Sequence, residues 1–142
     1  MANIVPDSFK QQLFLGTHNF STSAGNTFQL ALYSTVSGFT ASGTTAYTTT
    51  NEASGTGYSA GGLPLTNTAV SVADNIAFVD FSDVTFSTAT ITASAALIYN
   101  TTVAGTPAVV VLDFGGDKTS TNGDFTIQFP DANSTSAILR IS

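Results

Sequence analysis

Hydrophobic and polar positions alternate along most of the chain after residue 26, as they do in β-strands that bury one face. Polar residues such as Gln29, Thr92 and Gln128 occupy the alternate positions and are expected on the opposite face. Three segments show the pattern most clearly, and the residues predicted to share a face are Phe28, Leu30 and Leu32 in the first, Ile91, Ala93, Ala95, Leu97 and Tyr99 in the second, and Phe125, Ile127 and Phe129 in the third.

Other segments depart from simple alternation. PAVVVLDF (107–114) is apolar on both faces, which predicts a central strand with Pro107 at its start, where the missing N–H does least harm. AFVDFSDVTF (77–86) alternates less cleanly, and its FSD step is predicted to be a bulge or tight turn between two short strands. SAILRI (136–141) reads as a last strand after the turn at residues 130–133.

One helix is predicted near the start, over residues 6–16, PDSFKQQLFLG. Pro6 suits a first helical turn, and Gly16 can end the helix. Phe9 and Leu13 are four residues apart, so they should lie on one face and pack against a sheet. With seven to nine strands, the chain is predicted to be mainly β: one domain over 1–142, an antiparallel β-sandwich or barrel with one short N-terminal helix.

The glycine-rich stretch TNEASGTGYSAGGLPL (50–65) has three possible uses: a loop that cradles a ligand, a flexible linker, or a bend that leads the chain into a sheet. A ligand loop should be followed by a helix or by convergent polar side chains. This one continues into LPLTNTAVSV, which is strand-like. The glycines are therefore interpreted as positions that need positive φ or a close approach of neighbouring backbone.

Composition narrows the classes of partner. Only 8% of the 142 residues are charged and the net charge is −6, so a nucleic acid would be repelled. The chain has no cysteine, which excludes disulfides and thiolate chemistry. The first ten residues lack the pattern of an export signal, and no apolar run approaches the roughly 18 residues of a membrane helix. A soluble protein without nucleic-acid or membrane partners is expected.

The sequence contains few features of a hydrolytic active site. His18 is the only histidine and hence the only imidazole base for a Ser-His-Asp site, but no G-x-S-x-G nucleophile motif accompanies it. Asp80 and Asp83, a conceivable acid–base pair, should point to opposite faces of a strand unless a bulge intervenes. We predict a turn or surface histidine and no catalytic residue.

Cofactor and metal motifs are incomplete. GGDKTS (115–120) lacks the order G-x-x-x-x-G-K-[ST] of a phosphate loop and is predicted to be a hairpin loop. Asp113, Asp117, Asn122 and Asp124 offer oxygen ligands, but not at the spacing of an EF-hand calcium loop. No cofactor and no metal site is predicted.

Three blocks of the sequence carry a resemblance to a known family: NEASGTGYSAGG, DVTFS...ITA..ALIY and DFGGDKTSTNGDFTIQ. With the helix SFKQQLFLG and the strand FQLALY in the same order, the chain resembles small proteins encoded among the structural genes of tailed bacteriophages, from about residue 8 to residue 141. The resemblance implies a virion component without enzymatic activity, such as a cement or decoration protein on the capsid. It implies assembly in the host cytoplasm and, as partners, the major capsid protein or other virion proteins and further copies of the chain, for example in a trimer.

A tail or head appendage that binds a host receptor or glycan is the main alternative, and an enzyme is a third class. The loops at residues 34–50 and 100–107 are the expected contact surfaces, because loops on a rigid sandwich commonly hold interaction sites. Their aromatic residues could stack on sugars or pack at a subunit interface. The candidate contact residues are Phe39, Tyr47, Glu52, Tyr58, Asn100 and Thr101.

Overall fold

The computed structural model describes residues 3–142, which form one helix and seven strands in two antiparallel sheets. The four-stranded sheet has the order β2-β1-β5-β6, and the three-stranded sheet has the order β3-β4-β7. The fold is mainly β and sandwich-like, as the alternating pattern predicts. The elements are α1 (Asp7–Phe14), β1 (Phe28–Tyr33), β2 (Leu63–Pro64), β3 (Ser71–Ala73), β4 (Ile76–Val79), β5 (Val84–Asn100), β6 (Ala108–Ile127) and β7 (Leu139–Ile141).

The part of the four-stranded sheet around β1 is buried on both faces. On one face, Phe28, Leu30 and Leu32 of β1 join the main core, as their alternation predicts. On the other face, Ala31 and Tyr33 join a second core, which the loop after β1 covers. The residues of that loop that pack against the second core are Val36, Phe39 and Tyr47. Both sides of β1 are therefore excluded from water.

Strand β5 changes faces halfway along its length. Ile91 and Ala93 lie in the main core, whereas Ala95 and Leu97 lie in the second core. The register shifts between Ala93, which pairs with Lys118, and Ala95, which pairs with Asp113. Since one residue of β5 then faces four of β6, residues 114–117 bulge out of the ladder. The prediction of one shared face over residues 91–99 was wrong, because a bulge inverts the alternation.

The same bulge corrects the prediction for GGDKTS. Residues 115–120 lie within β6 instead of making a hairpin loop: residues 115–117 belong to the bulge, and residues 118–120 pair with β5. Gly115 and Gly116 have φ values of 77° and 153°, which allow the chain to bulge and then rejoin the ladder. The turn of the β5–β6 hairpin lies at residues 101–107.

Strand β6 was predicted to be central, and in the order of hydrogen-bonded strands it is an outer strand. Its apolar start is nevertheless buried on both faces. Single bridges from Ile4 to Val111 and from Ala46 to Pro107 cover its outer edge. The continuous apolar run therefore correctly predicted that the start of β6 is buried. Its outer edge is covered by the segments that contain Ile4 and Ala46, and not by a neighbouring strand.

Helix α1 is shorter than the predicted span of 6–16, and it packs as expected. Phe9 is buried, and Leu13 packs against the main core. Gly16, at φ 70°, follows the end of the helix. Within residues 3–142 no helix is long and apolar enough to cross a membrane. The FSD step separates two strands, as predicted, because residues 80–83 connect β4 in one sheet to β5 in the other. The second of these strands is not short, since β5 has 17 residues.

Candidate functional site

The glycine-rich segment crosses the four-stranded sheet at very short range. A methyl group on Gly62 would overlap the backbone carbonyl of Leu30, and one on Gly57 would lie 2.7 Å from the Cα atom of Ala89. Only glycine permits such an approach. The segment runs along the edge of β1, where the N–H groups of Ala53 and Leu65 donate to carbonyls of β1, and it reaches β5 at Thr56 and Gly57. We call this closely packed passage the crossing; it agrees with the interpretation of its glycines as positions of close backbone approach.

Glu52, the chain's only glutamate, fixes this crossing. Its carboxylate accepts hydrogen bonds from the hydroxyls of Tyr47 and Tyr58, each at 2.7 Å. The backbone N–H of Gly61 donates to the same carboxylate at 2.6 Å. Tyr58 in turn accepts from the N–H of Leu32 in β1, at 2.9 Å. One carboxylate thus ties both ends of the crossing to the sheet.

All four tyrosines of the chain gather around Glu52, and we call these five residues the tyrosine cluster. Tyr33 donates to the carbonyl of Thr48, and Tyr99 donates to the carbonyl of Gly61, both at 2.6 Å. The rings of Tyr47 and Tyr99 stack with centroids 4.7 Å apart. Burial, followed by the charge of Glu52, raises the pKa of Tyr99 to about 12, and burial raises the pKa of the other three as well. The hydroxyls are protonated donors at neutral pH.

Alkaline titration tests this cluster. A tyrosine in the unfolded chain ionises near pH 10, whereas the pKa of each of the four is raised in the folded protein. Their contribution to stability is therefore complete below about pH 10 and is lost as the pH rises through the raised values. We expect tyrosinate absorbance to appear late and together with the loss of β-sheet circular dichroism. Ionisation of all four near pH 10 in a still folded protein would contradict the cluster.

His18 lies in the segment that follows α1 and is 9% exposed, so the prediction of a turn or surface histidine was wrong. Its Nε2 lies 2.8 Å from Oε1 of Gln12, and its Nδ1 lies 3.0 Å from the side-chain nitrogen of Asn100. The side-chain nitrogen of Asn100 can only donate, and Oε1 of Gln12 can only accept. The ring is therefore neutral, with its proton on Nε2. Burial also lowers the pKa of His18, which favours the same neutral form. Both ring nitrogens are engaged within the molecule.

The stability of the protein should fall on the acid side of neutrality because of His18. The unfolded chain takes up this proton near pH 6.5 and the folded chain only at lower pH, so the contribution of His18 is complete above about pH 6.5 and is lost below it. Urea unfolding at about pH 7.5 and pH 5 measures the change. The free energy of unfolding of His18→Gln should depend less on pH than that of the wild type. Equal dependence in the two proteins would show that His18 is not held neutral.

Asp80 and Asp83 separate as predicted, one inward and one outward. Asp80 is 1% exposed and accepts from the N–H groups of Phe81 at 2.9 Å and Ile138 at 3.3 Å. Burial raises its pKa. Asp83 is exposed and accepts from the N–H of Phe129 at 2.8 Å. Each carboxyl group joins the strand connection to the last part of the chain. Both residues line one surface cleft of about 870 Å³, together with Asp131. Asp80 is almost fully buried there, so of the two only Asp83 presents its carboxylate to solvent.

Five of the six candidate contact residues are half-buried and make contacts within the molecule, and Asn100 is fully buried. Tyr47, Glu52 and Tyr58 meet in the tyrosine cluster, a convergence that the sequence did not reveal. Phe39 packs edge-on against Tyr33, with centroids 4.9 Å apart. Thr101, half-buried, donates to the carbonyl of Thr27 at 2.9 Å.

Asn100 requires a correction, because it is completely buried and offers no surface to a partner. Its amide donates to His18 and to Asn26, and its side-chain oxygen accepts from the N–H of Thr102 at 3.0 Å. An asparagine that ends a strand and opens a turn can satisfy the turn's backbone in this way. Asn100 therefore holds the β5–β6 turn against the histidine.

Two further clefts open on the surface. One, of about 690 Å³, lies between α1 and the three-stranded sheet, and we call it the helix–sheet groove. The other, of about 550 Å³, lies over the second half of β6 and includes Phe114, Phe125 and Phe129; we call it the phenylalanine cleft. In the part of the chain that the structure describes, no group of three or more His, Cys, Asp or Glu residues is placed to hold a metal ion.

Sequence reasoning missed the helix–sheet groove, since its walls come from α1, β4 and β7, which are far apart along the chain. In the structure, two apolar residues that line the groove are largely exposed: Val70 is 56% exposed and Ile141 is 61% exposed.

Comparison of the chain with protein-family models, with curated proteins and with solved structures finds no match.

Proposed function

We propose that the protein is a non-enzymatic structural component of a tailed-bacteriophage virion, and specifically a cement or decoration protein that binds the assembled capsid and stabilises it. The proposal starts from the resemblance in the three sequence blocks. The first block is the glycine-rich crossing, the second is most of β5 and the third lies in β6. Two of the three blocks therefore fall on strands of this fold, and the first falls on a connecting segment that packs closely against them.

The observation that best supports a role in binding over catalysis is the state of the polar side chains. His18 has both ring nitrogens engaged, and the four tyrosines are protonated donors inside the fold. A catalytic acid or base needs a free position facing a substrate and a pKa near the working pH. These groups instead stiffen the body, which suits a protein that carries load between capsid subunits.

Stabilisation of a shell by such a protein follows from linkage. A subunit that recognises only the assembled state lowers the free energy of that state, and the effect grows with the free concentration of the subunit relative to its dissociation constant. Many identical sites on a capsid multiply a weak contact. The proposed partners are the major capsid protein or other virion proteins together with further copies of this chain, with a trimer suited to threefold positions.

Electron microscopy of virions that lack this gene, or that carry a labelled product, tests the assignment. Loss of regularly spaced surface knobs, with binding of the purified protein to expanded empty capsids, is the expected result. Loss of a single tail or vertex density would overturn the decoration role. Conversion of a small compound by the purified protein, in a reaction that requires His18, would overturn the non-enzymatic role.

The phenylalanine cleft supports an alternative, an appendage that binds a host glycan. Phe114 and Phe125 have centroids 6.5 Å apart, and Asp124 and Gln128 line the same cleft. Apolar rings beside a few oriented polar groups are typical of small-ligand sites. A glycan array probed with the wild type and with Phe114→Ala tests it. Binding that disappears in the variant would favour the appendage, and no binding by the wild type would exclude glycan recognition through this cleft.

A further inference from the structure

The helix–sheet groove is an apolar trough with one incomplete wall. In the three-stranded sheet, Ala77 pairs with Ile141, and Val79 pairs with Leu139. Directly paired residues share a face, and Leu139 and Val79 of this face pack with the main core beside Leu13 of α1. Helix α1 ends at Phe14, so the outer end of the face remains uncovered. Ile141 there is 61% exposed, and Val70 on the rim is 56% exposed.

The groove also holds most of the positive charge of the protein. The chain has three basic residues against nine acidic ones, and Lys10 and Arg140 both line the groove. Lys10 forms an exposed ion pair with Asp7 at 2.9 Å. Within residues 3–142 this is the only ion pair, so the guanidinium of Arg140 has no carboxylate partner there. One nitrogen of Arg140 donates to the carbonyl of Thr135 at 2.7 Å, which holds the side chain in place.

The sheet beside the groove has free edges. In the order β3-β4-β7, the strands β3 and β7 each pair on one side only. An unpaired strand edge presents N–H and C=O groups that an added strand can bind. Sheet edges next to apolar pockets recognise extended peptides in this way, through backbone hydrogen bonds and alternate side chains.

We propose that the helix–sheet groove is a docking site for an extended acidic segment of a partner protein, which adds a strand at the free edge of β7. Its apolar side chains, at alternate positions, occupy the trough between Leu13 and Ile141. Side chains alternate along β7, so Arg140 points away from Leu139 and Ile141 and pairs with a carboxylate between the apolar residues of the segment. A second carboxylate, on the side of the trough, competes with Asp7 for Lys10. This proposal deepens the proposed virion role. It rests on that role in one respect, namely that the binding partner is another protein.

Charge decides against a second copy of this chain as the occupant. A twofold contact through the groove uses the same patch on both copies, so it would bring Lys10 and Arg140 of both copies into one interface, where their like charges repel. An acidic segment meets the opposite sign at the groove.

The test uses the full chain and a displayed library of random linear peptides about twelve residues long, enough for one strand with flanks. The wild type should enrich peptides that alternate apolar residues and contain Asp or Glu. Ile141→Asp should reduce binding of the selected peptides by about tenfold or more, as loss of a central apolar contact and added like charge would. Val70→Asp, on the other side of the groove, provides an independent variant. Thr121→Asp, an exposed change of the same charge on β6, is the matched control and should bind like the wild type.

Charge variants test the acidic preference. Arg140→Gln together with Lys10→Gln should retain selection for alternating apolar residues and lose selection for Asp and Glu. No enrichment by the wild type, or equal enrichment by Ile141→Asp and Val70→Asp with intact circular dichroism, would overturn the docking site. Sedimentation showing that the wild type self-associates and that Ile141→Asp is monomeric would also overturn it, in favour of a second copy.

Binding to expanded empty capsids separates this proposal from the virion role. Capsid binding that is lost in Ile141→Asp supports both. Capsid binding that is unchanged in Ile141→Asp and Val70→Asp keeps the virion role and removes the groove as its docking site. Selection of acidic peptides by a protein that does not bind capsids keeps the groove and removes the capsid role.

Discussion

Gly62→Ala is expected to destabilise the protein by more than about 4 kcal/mol, a large part of the stability of a domain of this size. The added methyl group would overlap the carbonyl of Leu30, which is backbone in a buried strand and cannot move aside. The residue also has φ 78°, which disfavours any side chain. Urea unfolding followed by circular dichroism should show a largely unfolded variant.

Gly105→Ala separates the two causes. Gly105 has φ 85°, close to that of Gly62, but a methyl group there would meet nothing within 4 Å. Its substitution should therefore cost only the conformational penalty, about 1–2 kcal/mol. Similar losses in the two variants would show that the glycine-rich segment does not cross the sheet at this distance.

Glu52→Ala should cost about 3 kcal/mol or more. The change removes the acceptor for two tyrosine hydroxyls and for the N–H of Gly61, and each donor left without a partner in a buried site costs about 1–3 kcal/mol. Partial access of water to Tyr47 and Tyr58, which are both half-buried, keeps the loss below the full sum. Chemical unfolding measures it.

Glu52→Gln is the matched variant for this site. The amide oxygen can still accept from Tyr58 and Gly61, and the amide nitrogen can donate to the hydroxyl oxygen of Tyr47. The loss should be near 1 kcal/mol, the net contribution of one hydrogen bond. If alanine and glutamine at this position cost the same, the carboxylate does not organise the crossing.

The sequence predicted well the fold class and which residues of a regular element share a face, because the alternation of apolar and polar residues follows the burial of the side chains. It succeeded at β1, where Phe28, Leu30 and Leu32 share a face, and at α1, where Phe9 and Leu13 do. It failed where the ladder is irregular. A bulge between Ala93 and Ala95 reverses the side on which every later residue of β5 points, and nothing in the local pattern of small and apolar residues marks that step.

The polar clusters and the grooves were less accessible to sequence reasoning. Tyr99 and Glu52 are far apart along the chain, and their proximity depends on how the glycine-rich segment crosses the sheet. A tyrosine that donates to a carbonyl inside a fold looks the same in sequence as one that stacks on a sugar. The helix–sheet groove depends on where α1 stops relative to β7, which is set by tertiary packing and not by local propensity.

The pairing of β1 has a consequence for synthesis of the chain on the ribosome. Gln29 pairs with Tyr99, and the β5 segment that receives β1 is itself held by residues 108–113. When the first half of the chain leaves the ribosome, the apolar residues of β1 have no partner strand to bury them, because β5 and β6 lie in the second half of the chain and have not yet emerged. Folding must wait until translation is nearly complete, so low temperature and slow induction should raise the soluble yield by limiting the encounter of unfinished chains.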